Sequence, residues 1–461
     1  MRGIRDPRHL LAQGLAHIRE EFSVPEGFAP AVQSAAEDAA RQVPTQHADW
    51  LDHRFATLDP ASSTDLDQAF ALEPSGSEWL LHYAIADVPW FVQDGDILDV
   101  EAWQRGTTSY LPDGKASLYP SVLSEGGASL LPGVDRPAII LSVRIDPEGD
   151  ARLDGVVRAL IRSQAKLAYE TVRDEDLPAG FIEVARRIAQ AEARRGAARV
   201  DPPEQELEPD GQGGFALRFR PFLPSETRNA ALSLAANLAV AKAMLEAQTG
   251  LFRVMAPPEA AAEAGLRASA AGLGLDWPAT VSLSEFEKRL DPAVPAEAAF
   301  MMAVRRAGTG ASYQAWAPGL QPWHAAIAAP YAHATAPLRR LADRYVLQTV
   351  LALAQGLPVP PDVTEALPRL SRVMGRAASR DSRIDRAVID LAEAVMLERF
   401  EGCTFAATVM DMRDGRARLQ LADMPVIATA DLPRAVPGET LRVTLVRADP
   451  DRRELIFTAS P

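Results

Sequence analysis

Three aspartates, Asp59, Asp65 and Asp67, fall within nine residues of one another in the stretch Thr57-Leu-Asp-Pro-Ala-Ser-Ser-Thr-Asp-Leu-Asp-Gln-Ala-Phe70. The segments on either side are apolar enough to be buried. Like charges this close repel, and burying them costs free energy unless a cation compensates. The fold must therefore either leave this stretch in water, as a turn with Asx caps, or hold a cation against it. Hard divalent ions such as Mg²⁺ take oxygen ligands from a few carboxylates together with water and substrate phosphate. Asp65 and Asp67, two positions apart, face the same side of an extended stretch. An EF-hand calcium loop is excluded: counted from Asp65, the sixth position is Phe70 rather than glycine and the twelfth is Gly76 rather than glutamate.

At 461 residues the chain is long enough for two or three domains. The N-terminus lacks the charged-then-apolar pattern of a signal peptide. The most apolar helical stretch, Ala231–Leu245, is interrupted by Ser233, Asn237 and Lys242, which makes it a core helix and not a membrane span. One cysteine, Cys403, leaves no disulfide framework and no cysteine zinc site, so a cytoplasmic protein is expected. The net charge of −14 argues against non-specific coating of nucleic acid. It does not argue against an enzyme that needs only a locally basic path.

Periodicity divides the chain into three parts. In residues 1–50, Leu11, Leu15, Ile18 and Phe22 mark one helix and Pro30–Gln42 a second. The pair admits a helix-turn-helix, but a packing arm is the expectation. From Phe55 to about Ala159 strands are read, notably Trp79–Ile85 and Ile139–Ile145. From about Pro178 to Phe400 helices dominate, with amphipathic stretches at 229–247, 337–355 and 363–400. Residues 51–400 are taken as one domain. Residues 401–461 carry five strand-like runs: Phe405–Met410, Ala417–Leu421, Val426–Thr429, Leu441–Val446 and Leu455–Phe457. Turns at Asp414-Gly415, Pro437-Gly438 and Asp449-Pro450-Asp451 separate them, a spacing that suggests an OB-fold barrel.

The text around the acidic stretch resembles the ribonuclease II family. That family's acidic motif is an Asp, five intervening residues, then Asp-x-Asp-Asp-Ala. Downstream, His82-Tyr-Ala-Ile-Ala-Asp-Val88, Leu98-Asp-Val-Glu-Ala102, Arg105-Gly-Thr-Thr-Ser-Tyr-Leu-Pro-Asp113, Leu118-Tyr-Pro, Ser129-Leu-Leu-Pro-Gly133 and Arg136-Pro-Ala138 follow in the family's order and at similar spacing. Ile161-Arg-Ser-Gln-Ala-Lys-Leu-Ala-Tyr-Glu170 fits the next signature. His324 and Tyr331-Ala-His-Ala-Thr-Ala-Pro-Leu-Arg-Arg340, with Asp343, resemble the late Thr-Ser-Pro-Ile-Arg-Arg motif. Ordered matches over residues 50–350 are far more specific than any one of these motifs.

The resemblance implies an α+β catalytic domain with a C-terminal five-stranded OB-fold barrel and a short helical N-terminal segment. The activity it implies is hydrolytic 3′→5′ exoribonuclease action on single-stranded RNA, releasing 5′-mononucleotides. Asp59, Asp65 and Asp67 match carboxylates expected to hold Mg²⁺ (Mn²⁺ being the alternative), and Asp67 matches the one on which the chemistry most depends. Tyr110 matches an aromatic that stacks on the 3′-terminal base. Arg339 matches the arginine that grips the scissile phosphate, with Arg340 beside it on RNA. His82, His324 and His333 are expected as core or supporting residues, since hard Mg²⁺ prefers oxygen. Arg369, Arg372, Arg376, Arg380 and Arg383 recur on one helix face, as an RNA path or as a solvated basic face. The expected partner is RNA, with no membrane and no obligate protein partner, and a monomer is expected.

The sequence also departs from the family pattern. Gln68 replaces the fourth carboxylate of the acidic motif and offers only a neutral carbonyl oxygen to a metal. Ala230-Ala231 stand where the family carries a glutamate pair, and Leu341 follows Arg340 where an aromatic is usual. Some 50 N-terminal residues are too few for the family's two cold-shock barrels. A catalytically impaired RNA-binding protein that keeps the fold is therefore the competing expectation.

Overall fold

The computed structural model describes residues 4, 6–197, 204–210, 214–220, 222–291, 294–308, 310–413 and 415–460. Two helices open the chain, α1 (Leu10–Glu21) and α2 (Pro30–Ala40). Asp6 caps α1 by accepting hydrogen bonds from the Leu10 and Leu11 amides, at 2.8 and 2.7 Å. Strands then follow: β1 (Ala48–Asp49), β2 (Phe55–Asp59), β3 (Gln68–Ser75) and β4 (Glu78–Ala86). After them come α3 (Val88–Phe91), α4 (Ile97–Arg105), the short hairpin β5 (Ser109–Leu111) and β6 (Gly114–Ala116), and the long strands β7 (Asp135–Ile145) and β8 (Ala151–Ala168). The region read as strands thus also holds the helix α4, whose N-cap Asp96 accepts from the Asp99 amide. Its only strong sequence signal is that local cap, which the surrounding β-pattern masked.

Among the described residues, β1, β8, β2, β3, β4 and β7 form one sheet in that order. β8 is 18 residues long. Its first part pairs with β7 and its last residues, Ser163–Ala168, pair with β2, so the sheet closes on itself. Closure leaves the ends of β2 and β3, and the acidic loop between them, in fixed relation to β8.

The remainder of this region comprises α5 (Phe181–Arg194), the hairpin β9 (Glu204–Pro209) and β10 (Phe215–Arg220), α6 (Pro224–Glu246), β11 (Leu251–Val254), α7 (Ala260–Gly272), α8 (Leu283–Glu287) and α9 (Pro295–Ala307). Then come β12 (Ser312–Ala315), α10 (Leu341–Ala354) and the 37-residue α11 (Pro361–Leu397). The helical reading of this stretch misses two strand pairs, β9–β10 and β11–β12. α6 buries Leu232, Ala235, Ala236, Ala239 and Val240 against the sheet, which bears out a core helix there. α10 begins at Leu341, later than the apolar pattern from 337 suggests, because residues 336–340 form a hydrogen-bonded turn that carries the two arginines.

α1 and α2 pack against different partners. α1 lies on α11, where a Cβ on Gly14 would sit 2.6 Å from Leu391, so the glycine permits close approach. α2 buries Val32, Ala36 and Ala39 in the main core.

The C-terminal strands β13 (Thr404–Arg413), β14 (Arg416–Leu421), β15 (Ile427–Asp431), β16 (Thr440–Asp449) and β17 (Glu454–Ala459) form a sheet in the order β15, β14, β13, β16, β17. β15 and β17 come alongside one another, giving a nearly closed barrel around its own core of Val409, Leu419, Val443 and Leu445. Asp414, first residue of the turn expected between the first two strands, lies outside the described residues. Among the described residues no helix is long and apolar enough to cross a membrane.

The β7–β8 turn is the tightest joint between the sheet and α5. Gly149 has φ 84°, and a Cβ there would lie 1.9 Å from the Arg187 carbonyl oxygen. Gly149→Ala combines left-handed strain with a backbone clash and is expected to destabilise the protein by roughly 1–3 kcal/mol. Thermal unfolding read by circular dichroism checks this; an unchanged midpoint would contradict it.

Candidate active site around the acidic loop

The loop from Pro60 to Asp67 is not a free solvated turn. The Lys166 ammonium donates to the carbonyls of Ala61 and Ser63, at 2.8 and 2.6 Å. The Ser129 hydroxyl accepts from the Leu66 amide at 2.9 Å and donates to the Thr64 carbonyl at 2.8 Å. Leu66 itself is fully buried, and its carbonyl accepts from the Leu130 amide. These anchors hold the aspartates where apolar packing alone would not.

Asp67 is buried. Its Oδ1 accepts from the Leu338 amide at 2.7 Å, and its Oδ2 lies 3.3 Å from Arg339 Nε. Burial pushes its carboxyl up to about 7, although Arg339 and the Leu338 amide both work to lower it. Asp59, at the end of β2, is pushed up to about 6, first by burial and further by Asp65, with Arg339 and Lys166 opposing. Its Oδ2 is buried with no hydrogen-bond partner. Asp65 has both oxygens engaged: Oδ1 is 2.9 Å from Lys115 Nζ and Oδ2 accepts from the Tyr110 hydroxyl at 3.1 Å. The Tyr110 ring is half exposed beside this loop, and burial of the hydroxyl raises its pKa.

Gln68 directs its side-chain oxygen to Tyr83, accepting from that hydroxyl at 2.7 Å. A carbonyl oxygen has a second lone pair, so this bond weakens Gln68 as a ligand without removing it. Arg340 is committed elsewhere. Its Nε and Nη2 donate to Asp343 at 2.9 and 2.7 Å, and Asp343 also accepts from the Ala336 amide. Asn237 accepts from the Ala334 amide at 2.9 Å. Asn237 and Asp343 thus fix the turn, Arg340 is part of that fixing, and Arg339 is the guanidinium facing the carboxylates. His324 and His333 are interior residues that burial keeps neutral; Tyr313 lies 2.7 Å from His333 Nδ1. His82 sits on the sheet and takes no part in this loop.

Lys115, Lys166 and Ser129 are the supporting groups to which residue-by-residue reading gave no role. A signal for Lys115 was present: the turn at Pro112-Asp113-Gly114 sets Tyr110 directly opposite Lys115 in the β5–β6 hairpin. No comparable local pattern marks Lys166 or Ser129, which reach the loop only through the tertiary fold.

A cavity of about 980 Å³ opens beside Tyr110, between β9–β10, α11 and the C-terminal barrel. Arg386, Arg416, Arg418 and Arg453 line it, interleaved with Glu206, Asp390 and Glu393. Arg369, Arg372, Arg376, Arg380 and Arg383 of α11 line a different groove, together with Trp103. There Arg369 lies over the Trp103 ring at 4.6 Å, Arg383 over Phe22 at 4.9 Å, and Arg380 donates to the Arg105 carbonyl and the Ser109 hydroxyl. Three of the five are thus occupied in packing.

The residues around Asp59 and Asp67 suit a divalent cation. Burial raises the carboxyl pKa values of Asp67 and the partly buried Asp59, Asp59 keeps an orphan oxygen, and the nearby Arg339 and Lys166 offset their charge only in part. Asp65 already has one partner on each oxygen, Lys115 and Tyr110, and its remaining lone pairs would serve a cation. Among the described residues the three aspartates do not form a trio with donor atoms within 4.8 Å of one another; His53, Glu73 and His82 do.

Comparison with known proteins gives a consistent picture. The family described as RNB domain matches residues 48–356, and that described as RNase II-type exonuclease C-terminal S1 domain matches residues 403–460. Ribonuclease R of Aquifex aeolicus is 26% identical over 408 residues, covering 82% of this chain and 56% of that protein. Exoribonuclease 2 of Yersinia pestis is 29% identical over 443 residues, covering 88% of this chain and 66% of that protein. The chain thus spans less than two thirds of the length of these relatives. Among solved structures, RNase R of Mycoplasma genitalium in complex with ribose methylated single-stranded RNA matches with a TM-score of 0.87 at 19% identity, over 99% of this chain and 79% of that one. Yeast Ssd1, described as a pseudonuclease, matches with a TM-score of 0.72 at 16% identity, over 99% of this chain and 59% of that one. Likeness at such identity establishes the fold alone.

The raised carboxyl of Asp67 has a sign that can be tested without substrate. A group whose folded pKa exceeds its unfolded value contributes stability below the unfolded value, near 4, and loses it as pH rises through about 7. In EDTA at pH 8, Asp67→Asn is therefore expected to stabilise the protein by about 1–3 kcal/mol, keeping the bond from the Leu338 amide. The gap should narrow as pH falls through about 7 and close only near pH 4. Thermal melts across this range check it, and a destabilised variant at pH 8 would contradict it.

Proposed function

This chain belongs to the ribonuclease II family, and from that premise we propose that it is a hydrolytic 3′→5′ exoribonuclease that releases 5′-mononucleotides from single-stranded RNA. The observation that carries the reading is the convergence of the partly buried Asp59 and the exposed Arg339 on the buried Asp67, with the half-exposed ring of Tyr110 next to them.

In this reading Asp59, Asp65 and Asp67 would hold a divalent cation, Mg²⁺ or Mn²⁺, with the Gln68 carbonyl as a weak fourth oxygen. The cation supplies Lewis-acid charge against the phosphoryl oxygens. Arg339 offers a planar pair of donors to the charge that builds on the scissile phosphate. Its pairing with Asp67 keeps the guanidinium aimed at that position before substrate arrives, which reduces the reorganisation needed during reaction. Tyr110 stacks on the 3′-terminal base, and stacking tolerates any base because every base has a π-face. The cavity lined by Arg386, Arg416, Arg418 and Arg453 gives the RNA backbone an approach to Tyr110 from the C-terminal barrel. In the same reading the protein meets its RNA in the cytoplasm, as a monomer without an obligate partner.

The second reading is an RNA-binding protein that has lost hydrolysis. Gln68 turned toward Tyr83 and Asp65 engaged on both oxygens favour it, because both reduce the negative charge free to bind a cation.

The test is a 5′-labelled single-stranded RNA of about 30 nucleotides, long enough to reach from a surface barrel into a buried site. Products shortening from the 3′ end are expected, stopped by EDTA and by Asp67→Asn. Arg339→Ala should lower the rate by about 10²–10³-fold. Tyr110→Ala should weaken RNA binding by about 1–3 kcal/mol, with Tyr110→Phe retaining most of it. RNA bound but intact across titrations of Mg²⁺ and Mn²⁺ would establish the second reading instead.

A further inference from the structure

We propose that His53, Glu73 and His82 form a metal site separate from the acidic loop, one that takes a borderline transition-metal ion such as Zn²⁺.

The separation follows from strand geometry. Tyr83, whose hydroxyl reaches Gln68, and His82 are consecutive on β4, so their side chains leave the sheet on opposite faces. His82 stands opposite Ala71 on β3 and opposite Ser142 on β7. Glu73, two positions along β3 from Ala71, is therefore a diagonal neighbour of His82 on the same face. His53 comes from the turn between β1 and β2, which folds over this face.

Three donor atoms, one from each residue, lie within 4.8 Å of one another. His53 Nε2 is 3.6 Å from Glu73 Oε1, and His82 Nε2 is 3.6 Å from Glu73 Oε2. Both separations are too long for a good hydrogen bond. They approach the spacing of about 3.4 Å between neighbouring ligands of a tetrahedral ion with bonds of about 2.0–2.1 Å. The carboxylate thus faces two imidazole nitrogens without satisfying either.

The surroundings orient the donors. His82 is buried, and its other ring nitrogen, Nδ1, lies 3.0 Å from the Ser142 hydroxyl. A metal-binding histidine typically has its second nitrogen fixed in this way, leaving the first to present its lone pair. The Trp50 indole walls the site, stacked on His53 with centroids 4.3 Å apart and edge-on to His82 at 5.0 Å. His53 Nδ1 is buried without a partner, so no hydrogen bond elsewhere accounts for the position of this ring. Nearby Arg144 does not compete for Glu73, being paired with Glu78 and Asp154.

Two imidazoles and one carboxylate suit Zn²⁺, Ni²⁺ or Cu²⁺ and not Mg²⁺. Three protein ligands leave a fourth position for water. An ion here would tie the turn that leads into β2 to the sheet, six residues before Asp59.

Isothermal titration of Zn²⁺ into the EDTA-stripped full chain tests this, in a Cys403→Ser background that removes the single thiol. One Zn²⁺ per chain is expected. His53→Ala and Glu73→Gln, both at partly exposed positions, should each weaken binding by at least about tenfold. With Mg²⁺ in excess to occupy the acidic loop, Asp59→Asn and Asp67→Asn should leave the high-affinity Zn²⁺ transition unchanged, which separates this site from the acidic loop. Co²⁺ should give the intense visible absorption of a four-coordinate ion, lost in His53→Ala. Circular dichroism confirms that each variant is folded. No binding by wild type, or equal affinity in the His53 and Glu73 variants, would show a surface His–Glu cluster only and overturn the proposal.

Discussion

The contact between Asp67 and the turn Leu338–Arg339 joins two parts of the chain about 270 residues apart, and the candidate site depends on it. One oxygen of Asp67 takes the Leu338 amide, and the other faces the Arg339 guanidinium. Each side is fixed independently: the acidic loop by Lys166 and Ser129, the arginine turn by Asn237 and Asp343. The closed sheet supplies the rigid frame, because β8 pairs on both sides and leaves no slack between β2 and β7. An arginine and a carboxylate cluster are thus held within reach of each other by the fold itself.

That arrangement is costly to stability. Asp59 and Asp67 sit where burial opposes their charge, and the neighbouring cations only partly offset this. A chain selected for stability alone would place neutral residues there. Carboxylates in an apolar setting, beside a guanidinium paired with one of them, are the feature on which the proposed cation site rests. Gln68 softens the cluster, and its bond to Tyr83 turns one of its two oxygen lone pairs toward the core.

Much of the fold was legible because its signals are local. The alternation through Trp79–Ile85, the apolar run Ile139–Ile145 and the five C-terminal strands all appear in the structure, at bounds shifted by a few residues. α4, the β9–β10 hairpin and β11–β12 were not read, since short elements set by tertiary pairing carry little periodicity. For the site, resemblance pointed to Asp59, Asp65, Asp67, Tyr110 and Arg339, and the structure brings these side chains together. The different fates of two adjacent arginines were not legible. Arg340 is drawn to Asp343 three residues on, whereas Arg339 faces Asp67 from across the fold. The grouping of His53 with Glu73 and His82 likewise depends on strand register and on the turn before β2.

The central claim is that the acidic loop and Arg339 together receive a cation-bridged phosphate. Single-turnover cleavage of RNA with one phosphorothioate at the 3′-terminal linkage tests it most directly, comparing Mg²⁺ with the more sulfur-tolerant Mn²⁺. Slowing by sulfur in one stereoisomer under Mg²⁺, relieved under Mn²⁺, is the predicted result. Equal cleavage of both stereoisomers in both metals would contradict a cation at these carboxylates.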